Sequence, residues 1–294
     1  MSFYKIHQLS QFAFETLESA ISAKIHSIYR KTINLDVNGQ ILAVQVEDSP
    51  LSPISLITDM TQEDMEELGL AFHQQLSINQ EELYLVGKNA PYRKIFSYKG
   101  TQPLDLSLSP CNSKANLPLL KKSIKKAIAS SNTKGFDLIF NHSDQVDDNL
   151  ILKAAKNHLL AIKKMAESPN PPLSEIIKEL VRLIGLGIGL TPSGDDFLTG
   201  ILAGIILCSQ EQTPFALKLK KEIQKHLSDT NDISRAFLTC ALKGQFSQTI
   251  KTLQEHPDID ATSIQEIFLK IGHSSGIDTL CGIYFYLNTL WNIF

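Results

Sequence analysis

The segment TPSGDDFLTG at residues 191–200 decides the fold, because a related segment, HSSGIDTLCG, occurs at residues 273–282. The offset between the copies is 82 residues (275 − 193). The matched pairs are Ser193 and Ser275, Gly194 and Gly276, Asp196 and Asp278, Leu198 and Leu280, and Gly200 and Gly282. A glycine-containing apolar turn precedes each copy, and an apolar stretch typical of a buried helix follows. The repeat predicts two polar turns at two helix N-termini, which together form one site.

The apolar stretches that follow the two turns indicate how the helices pack. FLTGILAGIILC at 197–208 is apolar on every face, with Gly200 and Gly204 four residues apart, and TLCGIYFYL contains Gly282. Small residues at this spacing allow a second helix to approach closely. We therefore predict that the two helices pack against each other near their N-termini.

The hydrophobic periodicity divides the chain into a β-rich part and a helical part. β-Branched and aromatic segments separated by Pro, Gly and Asn predict strands at 23–35, 41–48, 54–58, 82–87, 92–98 and 103–108, with a hairpin turn at Asn38–Gly39. Short helices are predicted at 10–21 and 61–68. Helical periodicity predicts helices at 114–130, 145–166, 173–184, 195–209, 213–228, 231–243, 245–255, 262–271 and 277–293. We expect an α+β protein with a β-rich N-terminal domain at 1–112 and a mostly helical domain at 113–294 that carries both motifs on two buried central helices.

Composition excludes several classes of function. The 294-residue chain is 43% hydrophobic, 20% charged and carries a formal net charge of −3, which does not suggest a nucleic-acid surface. The start of the chain lacks the apolar core of a signal peptide, and the longest apolar runs are shorter than the roughly 20 residues of a membrane span. The four cysteines are far apart and form no CxxC pair, as expected of reduced core cysteines. We expect a cytoplasmic protein with no membrane or nucleic-acid partner.

The first motif predicts an anion site. Its alternating glycines permit unusual backbone conformations, and a helix that begins at Ser193 or Gly194 would offer unpaired N–H groups and a partial positive charge. The candidate anion-binding residues of this copy are Gly187, Gly189, Thr191, Ser193, Gly194 and Asp195. The spacing matches neither a Walker loop nor a dinucleotide fingerprint. The alternative is a tight turn in which Ser and Asp only cap the helix.

The paired acids of the first motif allow two interpretations. Adjacent helical residues point about 100° apart, so one of Asp195 and Asp196 is expected to face a given pocket. Asp196 is the one matched by Asp278. If the two copies converge, this carboxylate pair would bind a divalent cation, hold a protonated nitrogen or share a proton. The alternative is that the acids only stabilise the helix dipole.

The second motif adds a histidine. His273 occupies the position of Thr191, and a histidine in a Gly/Ser turn is a candidate general acid or base, with a structural hydrogen bond as the alternative. Catalytic candidates are therefore His273, Asp196 and Asp278, and the anion-binding candidates of this copy are Ser274, Ser275 and Gly276. Arg235 is one of only four arginines and is the candidate for a carboxylate-binding fork; the alternative is a surface salt bridge.

GLGIGLTPSGDDFLTG and GHSSGIDTLCG resemble the two signature motifs of the AllH-like family, a bacterial domain of unknown function that includes a subunit of oxamate carbamoyltransferase. The segments SIYRKTINL and ISRAFL and the overall length are also similar, so the resemblance covers essentially the whole chain. It implies a reaction of allantoin and purine catabolism, in which phosphate attacks the carbamoyl group of oxalurate to give carbamoyl phosphate and oxamate. It also implies a complex with an FdrA-like subunit and another partner.

Three functions are compatible with these residues. The leading hypothesis is a carbamoyltransferase component that uses no cofactor, in which phosphate and a small anionic substrate bind at the helix N-termini. There His273 would supply a proton, and Asp196 or Asp278 would orient it. No convincing nucleophile–base arrangement is present, so direct transfer is favoured over a covalent intermediate. The alternatives are a non-catalytic subunit that binds an anion or acyl group, and a metal-dependent hydrolase with a divalent cation at Asp195, Asp196 and Asp278.

Overall fold

The computed structural model describes residues 3–85, 93–111 and 114–293. The chain forms two compact units, Met1–Leu106 and Ser107–Phe294. The first is rich in strands and the second is helical, which confirms the expected α+β class. The ends of two predicted strands, at residues 86–87 and 92, lie outside the described residues. Residues 112–113, at the predicted domain boundary, also lie outside them.

The N-terminal unit is a closed barrel of eight strands. Its strands are β1 Tyr4–Leu9, β2 Ser22–Ile28, β3 Thr32–Val37, β4 Gln40–Gln45, β5 Ser55–Thr58, β6 Gln75–Asn79, β7 Glu82–Leu85 and β8 Arg93–Ser97. They follow one another around the barrel in the order β1-β5-β4-β3-β2-β6-β7-β8. The pairs β4–β5 and β1–β8 are parallel and the others are antiparallel. Closure pairs every strand on both sides, which removes the exposed edges of an open sheet.

Two short helices accompany the barrel, and both begin at a residue whose side chain caps the helix. In α1, Gln11–Glu18, the Ser10 hydroxyl accepts from the Ala13 N–H at 2.9 Å. In α2, Gln62–Glu67, Thr61 and Asp64 form a reciprocal capping box. Both helices were predicted from these caps.

The strand predictions are partly wrong. The segment 23–35 is two strands, because the chain turns at 29–31 and the Tyr29 N–H bonds to the Thr32 carbonyl at 2.8 Å. The segment 103–108 is not a strand and makes only isolated bridges at Leu104 and Ser107. Pro103 has no N–H to donate, which explains why no ladder starts there. Strands β1 and β6 were missed.

The second unit consists of ten helices among the described residues. They are α3 Leu117–Ala129, α4 Asp137–Phe140, α5 Leu150–Ala166, α6 Leu173–Val181, α7 Ser193–Leu207, α8 Pro214–Lys225, α9 Asp232–Leu242, α10 Gln248–Glu255, α11 Ala261–Leu269 and α12 Ser275–Phe285. A π-helical turn, Tyr286–Leu290, continues α12. Every predicted helix is present, and the four-residue α4 was not predicted. No helix in the described part of the chain is both long and apolar enough to cross a membrane.

The centre of the helical unit is the pair α7–α12, which run side by side in the same direction. A Cβ atom added at Gly200 would lie 2.9 Å from the Gly282 Cα, and one added at Gly204 would lie 2.9 Å from the Tyr286 Cβ. Both contacts join residues 82 apart (282 − 200 and 286 − 204), the offset of the sequence repeat. The two copies therefore pack in register, with both N-termini at the same end of the pair.

Candidate functional site

The two polar turns meet at the N-termini of α7 and α12. The Thr191 Oγ1 and Ser275 Oγ atoms are hydrogen-bonded at 2.7 Å. Each copy also places a hydroxyl beside the acid of the other, because Ser275 approaches the Asp196 carboxyl and Ser193 approaches that of Asp278. The structure therefore brings the two turns into one site, as the repeat predicts.

The Asp196 and Asp278 carboxyls form a buried pair. Asp278 is fully buried, and Asp196 is partly exposed as a residue although its Oδ2 is buried. The Oδ2 atom of each carboxyl has no hydrogen-bond partner within the described residues. A buried polar atom without a partner is rare in a folded protein and calls for an explanation. Two such atoms on neighbouring carboxyls have unused hydrogen-bonding capacity, which a shared proton or a bound ligand would fill.

The environment gives the two acids different proton affinities. Burial raises the pKa of Asp196 well above its usual range, and the neighbouring Asp278 charge raises it further. Burial also raises the pKa of Asp278 to about 6, while a hydrogen bond from the Phe136 N–H and the Ser193 and Ser274 hydroxyls oppose the rise. The Phe136 N–H stabilises a negative charge on Asp278 and has no counterpart at Asp196 within the described residues, so a proton held by the pair is favoured on Asp196.

A loop that sequence reasoning missed holds Asp278. The Phe136 N–H donates to the Asp278 Oδ1 at 2.6 Å. Gly135 leaves room for this carboxyl, because a Cβ atom there would overlap it. Asp137 fixes the loop by accepting from the Gly135 N–H at 2.9 Å and the Thr133 N–H at 2.8 Å. The only signal in the sequence was a Gly beside an Asp at the start of a short apolar segment, which is too common to single out.

Asp195 points away from the acid pair. Its Oδ1 accepts from the Gly185 N–H at 2.9 Å, and its Oδ2 accepts from the hydroxyls of Thr230 at 2.5 Å and Ser234 at 2.6 Å. These bonds tie the glycine turn before α7 to the start of α9. Asp195 therefore has the contacts of a structural residue.

The backbone donors at the start of α7 are mostly occupied. The Gly194 N–H bonds to the Leu186 carbonyl at 2.9 Å, and the Asp195 and Asp196 N–H groups bond to the Pro192 carbonyl at 2.9 and 3.2 Å. The Gly276 N–H of the second copy bonds similarly to the Ile271 carbonyl at 3.1 Å. These bonds leave the hydroxyl groups as the main neutral donors toward a ligand.

The remaining candidates of the first turn are glycines in left-handed conformations. Gly187 has φ 151° and packs against Ser193, whereas Gly189 has φ 101° and has open space around its Cα. Between them Ile188 is 84% exposed, and Leu190 is also exposed. The glycine turn therefore presents apolar side chains to solvent immediately before Thr191 in the sequence.

His273 and Arg235 lie outside the buried part of the site. His273 is exposed and makes no hydrogen bond within the described residues. Arg235 forms an ion pair with Asp232 on its own helix. Both side chains therefore lack the contacts that would fix them beside Asp196 and Asp278.

The arrangement of acids bears on the metal hypothesis. Among residues 3–85, 93–111 and 114–293, no group of three or more His, Cys, Asp or Glu side chains is placed to hold a metal ion. Since the Asp195 oxygens bond elsewhere, Asp196 and Asp278 remain as the two carboxylates that could contribute to one. A divalent cation at this pair remains a prediction, and binding of Mg²⁺ or Mn²⁺ measured by calorimetry on wild type and Asp278→Asn would test it.

The raised pKa of Asp278 predicts a pH-dependent stability. An acid whose pKa is higher in the folded than in the unfolded chain stabilises the fold when it is protonated. For Asp278 this contribution is complete below the pKa of the unfolded chain, near 4, and is lost as pH rises through the folded-state pKa of about 6. We expect wild type to lose about 2 kcal/mol of unfolding free energy relative to Asp278→Asn between pH 4 and 7. Denaturant unfolding of both proteins at each pH measures this difference. Parallel pH profiles would contradict the assigned burial.

Comparison with known proteins matches both units to one family. Residues 183–287 match the family model described as oxamate carbamoyltransferase subunit AllH. Residues 5–93 match the model of the AllH family N-terminal domain. The chain belongs to the AllH family. The first match contains both Ser-Gly-x-Asp turns, so the acid pair lies within the region that this family model covers. No solved structure matches the chain.

Proposed function

We propose that this AllH-family chain is a subunit of an oxamate carbamoyltransferase, and that the acid pair handles the proton of the transfer step. A phosphate oxygen attacks the carbamoyl carbon of oxalurate, the bond from that carbon to the bridging nitrogen breaks, and carbamoyl phosphate and oxamate leave. Hydrogen phosphate loses one proton in this exchange, and the departing nitrogen gains one. A general acid–base group that donates a proton to the departing nitrogen and recovers one from hydrogen phosphate satisfies this proton balance.

The observation that carries the proposal is the pair of unpartnered Oδ2 atoms on Asp196 and Asp278. Protonated Asp196 would donate to the departing nitrogen, and charged Asp278 would accept an N–H of the carbamoyl group. The proton released by hydrogen phosphate would then restore the pair. Burial raises the pKa of Asp196 well above its usual range, which favours the protonated form that a general acid requires.

The hydroxyls around the pair are suited to the developing charge on the carbamoyl oxygen. Thr191 and Ser275 are already hydrogen-bonded to each other, so one of them can turn its proton toward a ligand. His273 is exposed two residues before Ser275, where it would assist binding of the anionic end of the substrate. The proposal therefore assigns the proton transfer to the acids and a binding role to His273.

Charge balance supports a site completed by another subunit. Oxalurate and phosphate are both anions, and an acid pair adds negative charge. Within the described residues, no Lys or Arg side chain is hydrogen-bonded or ion-paired to Asp196 or Asp278. Transfer between anions requires positive charge to neutralise them, so we propose that a partner protein supplies it. The FdrA-like subunit and the other partner implied by the sequence resemblance are the candidates.

An activity assay tests this function. Purified chain is mixed with oxalurate and phosphate, with and without the other subunits, and carbamoyl phosphate is measured. We expect formation only in the complete complex and its loss when either acid of the pair is replaced. Full activity of complexes that contain Asp196→Asn or Asp278→Asn would support the alternative, a non-catalytic subunit.

The exposed apolar turn predicts where a partner binds. Ile188 is 84% exposed and Leu190 is also exposed in the turn that precedes α7, and burying such side chains stabilises a complex. We expect the double variant Ile188→Asp/Leu190→Asp to weaken subunit association at least tenfold, measured by sedimentation or calorimetry, with an unchanged melting temperature. The control is Leu150→Asp, because Leu150 is 83% exposed at the start of α5. Equal association of both variants would place the interface elsewhere.

A further inference from the structure

A cavity lies on the helical unit, and none of the residues that line it belongs to the acid pair or to the two polar turns. It has a volume of about 200 Å³ and is lined by residues of α3, α4, α5 and the end of α12. Its lining includes the aromatic side chains of Phe140, Tyr284 and Phe285 and three lysines, Lys125, Lys156 and Lys163. The lining as a whole is apolar and aromatic in part, positively charged in part, and contains no acid.

Part of the apolar lining is aromatic. The Phe140 ring lies 5.9 Å from that of Tyr284 in an edge-to-face arrangement and 6.4 Å from that of Phe285. A cavity of about 150 Å³ between apolar side chains is large enough to bind benzene. The cavity here therefore has room for one ring and a small substituent.

The charged part of the lining is basic. Lys125, Lys156 and Lys163 belong to it, on α3 and α5. Lys156 forms an ion pair with Asp147 at 3.2 Å. Within the described residues, Lys125 and Lys163 have no acidic partner. Two such lysines beside an apolar cavity attract an anion that has an apolar body.

The backbone around the cavity is irregular in two places. Asn288 and Thr289 lie in the π-helical turn Tyr286–Leu290, and π-helical turns occur frequently at functional sites. His142 has φ 54°, a conformation that is uncommon for residues other than glycine. Both irregular segments place polar side chains at the cavity, where they would hydrogen-bond the edge of a ligand.

We infer that this cavity is a second binding site, for a small planar anion with one ring and one phosphate or carboxylate group. The ring would lie against Phe140 and Tyr284, and the anionic group would contact Lys125 and Lys163. The inference does not depend on the proposed carbamoyl transfer. Phe140 ends α4, and its ring lies 6.4 Å from that of Phe197 in the core of the helical unit.

Binding of phenyl phosphate, benzoate, phenol and inorganic phosphate to the full chain tests the inference, with NMR titration as the readout. We expect the two aromatic anions to bind at least tenfold more tightly than phenol or inorganic phosphate, because only they use both parts of the cavity. Equal binding of phenyl phosphate and inorganic phosphate would indicate a simple anion site and overturn the inference. Absence of binding by all four probes at millimolar concentration would also overturn it.

Neighbouring lysines provide matched variants. The double variant Lys125→Ala/Lys163→Ala removes two cavity lysines, and Lys126→Ala/Lys164→Ala removes the next lysine on each helix, neither of which lines the cavity. Both remove the same charge from the same helices. We expect phenyl phosphate binding to weaken at least tenfold in the first and less than twofold in the second. Equal weakening of phenyl phosphate binding in the two double variants would show that only the general positive charge of the helices attracts the anion. Asp278→Asn should bind phenyl phosphate normally, which separates this site from the acid pair.

Discussion

Replacing Asp196 by Asn should lower the rate of carbamoyl phosphate formation by the complete complex at least 100-fold. Asn has nearly the same shape as Asp but cannot give a proton, and removal of a general acid typically costs a factor of about 10² to 10⁴. Asp278→Asn should have a comparable effect, because it removes the charge that is proposed to hold the carbamoyl N–H. His273→Ala should lower the rate less than about tenfold, since His273 is exposed and has no contact within the described residues that fixes it beside the acids.

Measurements of thermal stability distinguish a catalytic role of the two acids from a purely structural one. A residue that only caps or stabilises a helix lowers the melting temperature when it is replaced. Asp278 instead has a raised pKa, so its charged form destabilises the fold at neutral pH, and Asp278→Asn should be at least as stable as wild type at pH 7.5. The control is Asp258→Asn, which replaces an exposed acid before α11 and should change neither the rate of carbamoyl phosphate formation nor the stability. An active but unstable Asp278→Asn would refute the catalytic assignment.

Replacing Gly282 by Ala should destabilise the helical unit by about 3 kcal/mol. The added Cβ would overlap the Phe197 carbonyl oxygen and lie 3.0 Å from the Gly200 Cα, so the backbones of α7 and α12 would have to separate. Alanine favours a helix by about 1 kcal/mol over glycine, and the predicted loss of unfolding free energy already includes this stabilising contribution. We expect the melting temperature to fall by roughly 6–12 °C.

Gly204→Ala provides a graded comparison for this prediction. Its added Cβ would meet the Tyr286 side chain at 2.9 Å rather than a backbone carbonyl, so the strain should be smaller. Calorimetric melting should therefore rank wild type above Gly204→Ala and Gly204→Ala above Gly282→Ala. A Gly282→Ala variant as stable as wild type would show that the close approach of α7 and α12 is unnecessary.

The repeated motif made the centre of the helical unit predictable from the sequence. Five matched positions at one offset predicted two similar helices, and the close approach of Gly200 and Gly282 is a direct consequence of small residues at equivalent places. The pairing of Asp196 with Asp278 followed from the same register. These features were accessible because they depend on residues that repeat within the chain.

The surroundings of the acid pair were not predictable in the same way. The direction of the Asp195 side chain depends on Thr230 and Ser234, which belong to a different helix. The loop before α4 acts on Asp278 across 142 residues of sequence and has no repeated counterpart. The exposure of His273 likewise depends on how the chain packs. Single-sequence patterns describe local structure and do not contain these contacts.

The reciprocal contacts between α7 and α12 have the signature of an isologous interface. In a two-fold symmetric pair, when residue i contacts residue j, the second copy of j contacts the second copy of i. Ser193 approaches Asp278 and Ser275 approaches Asp196 in this manner. If the two halves were identical, the two acids would be equivalent and would have equal affinity for a shared proton. The Phe136 N–H reaches only Asp278, so this pseudo-symmetric pair is polarised, with a donor on one half and an acceptor on the other.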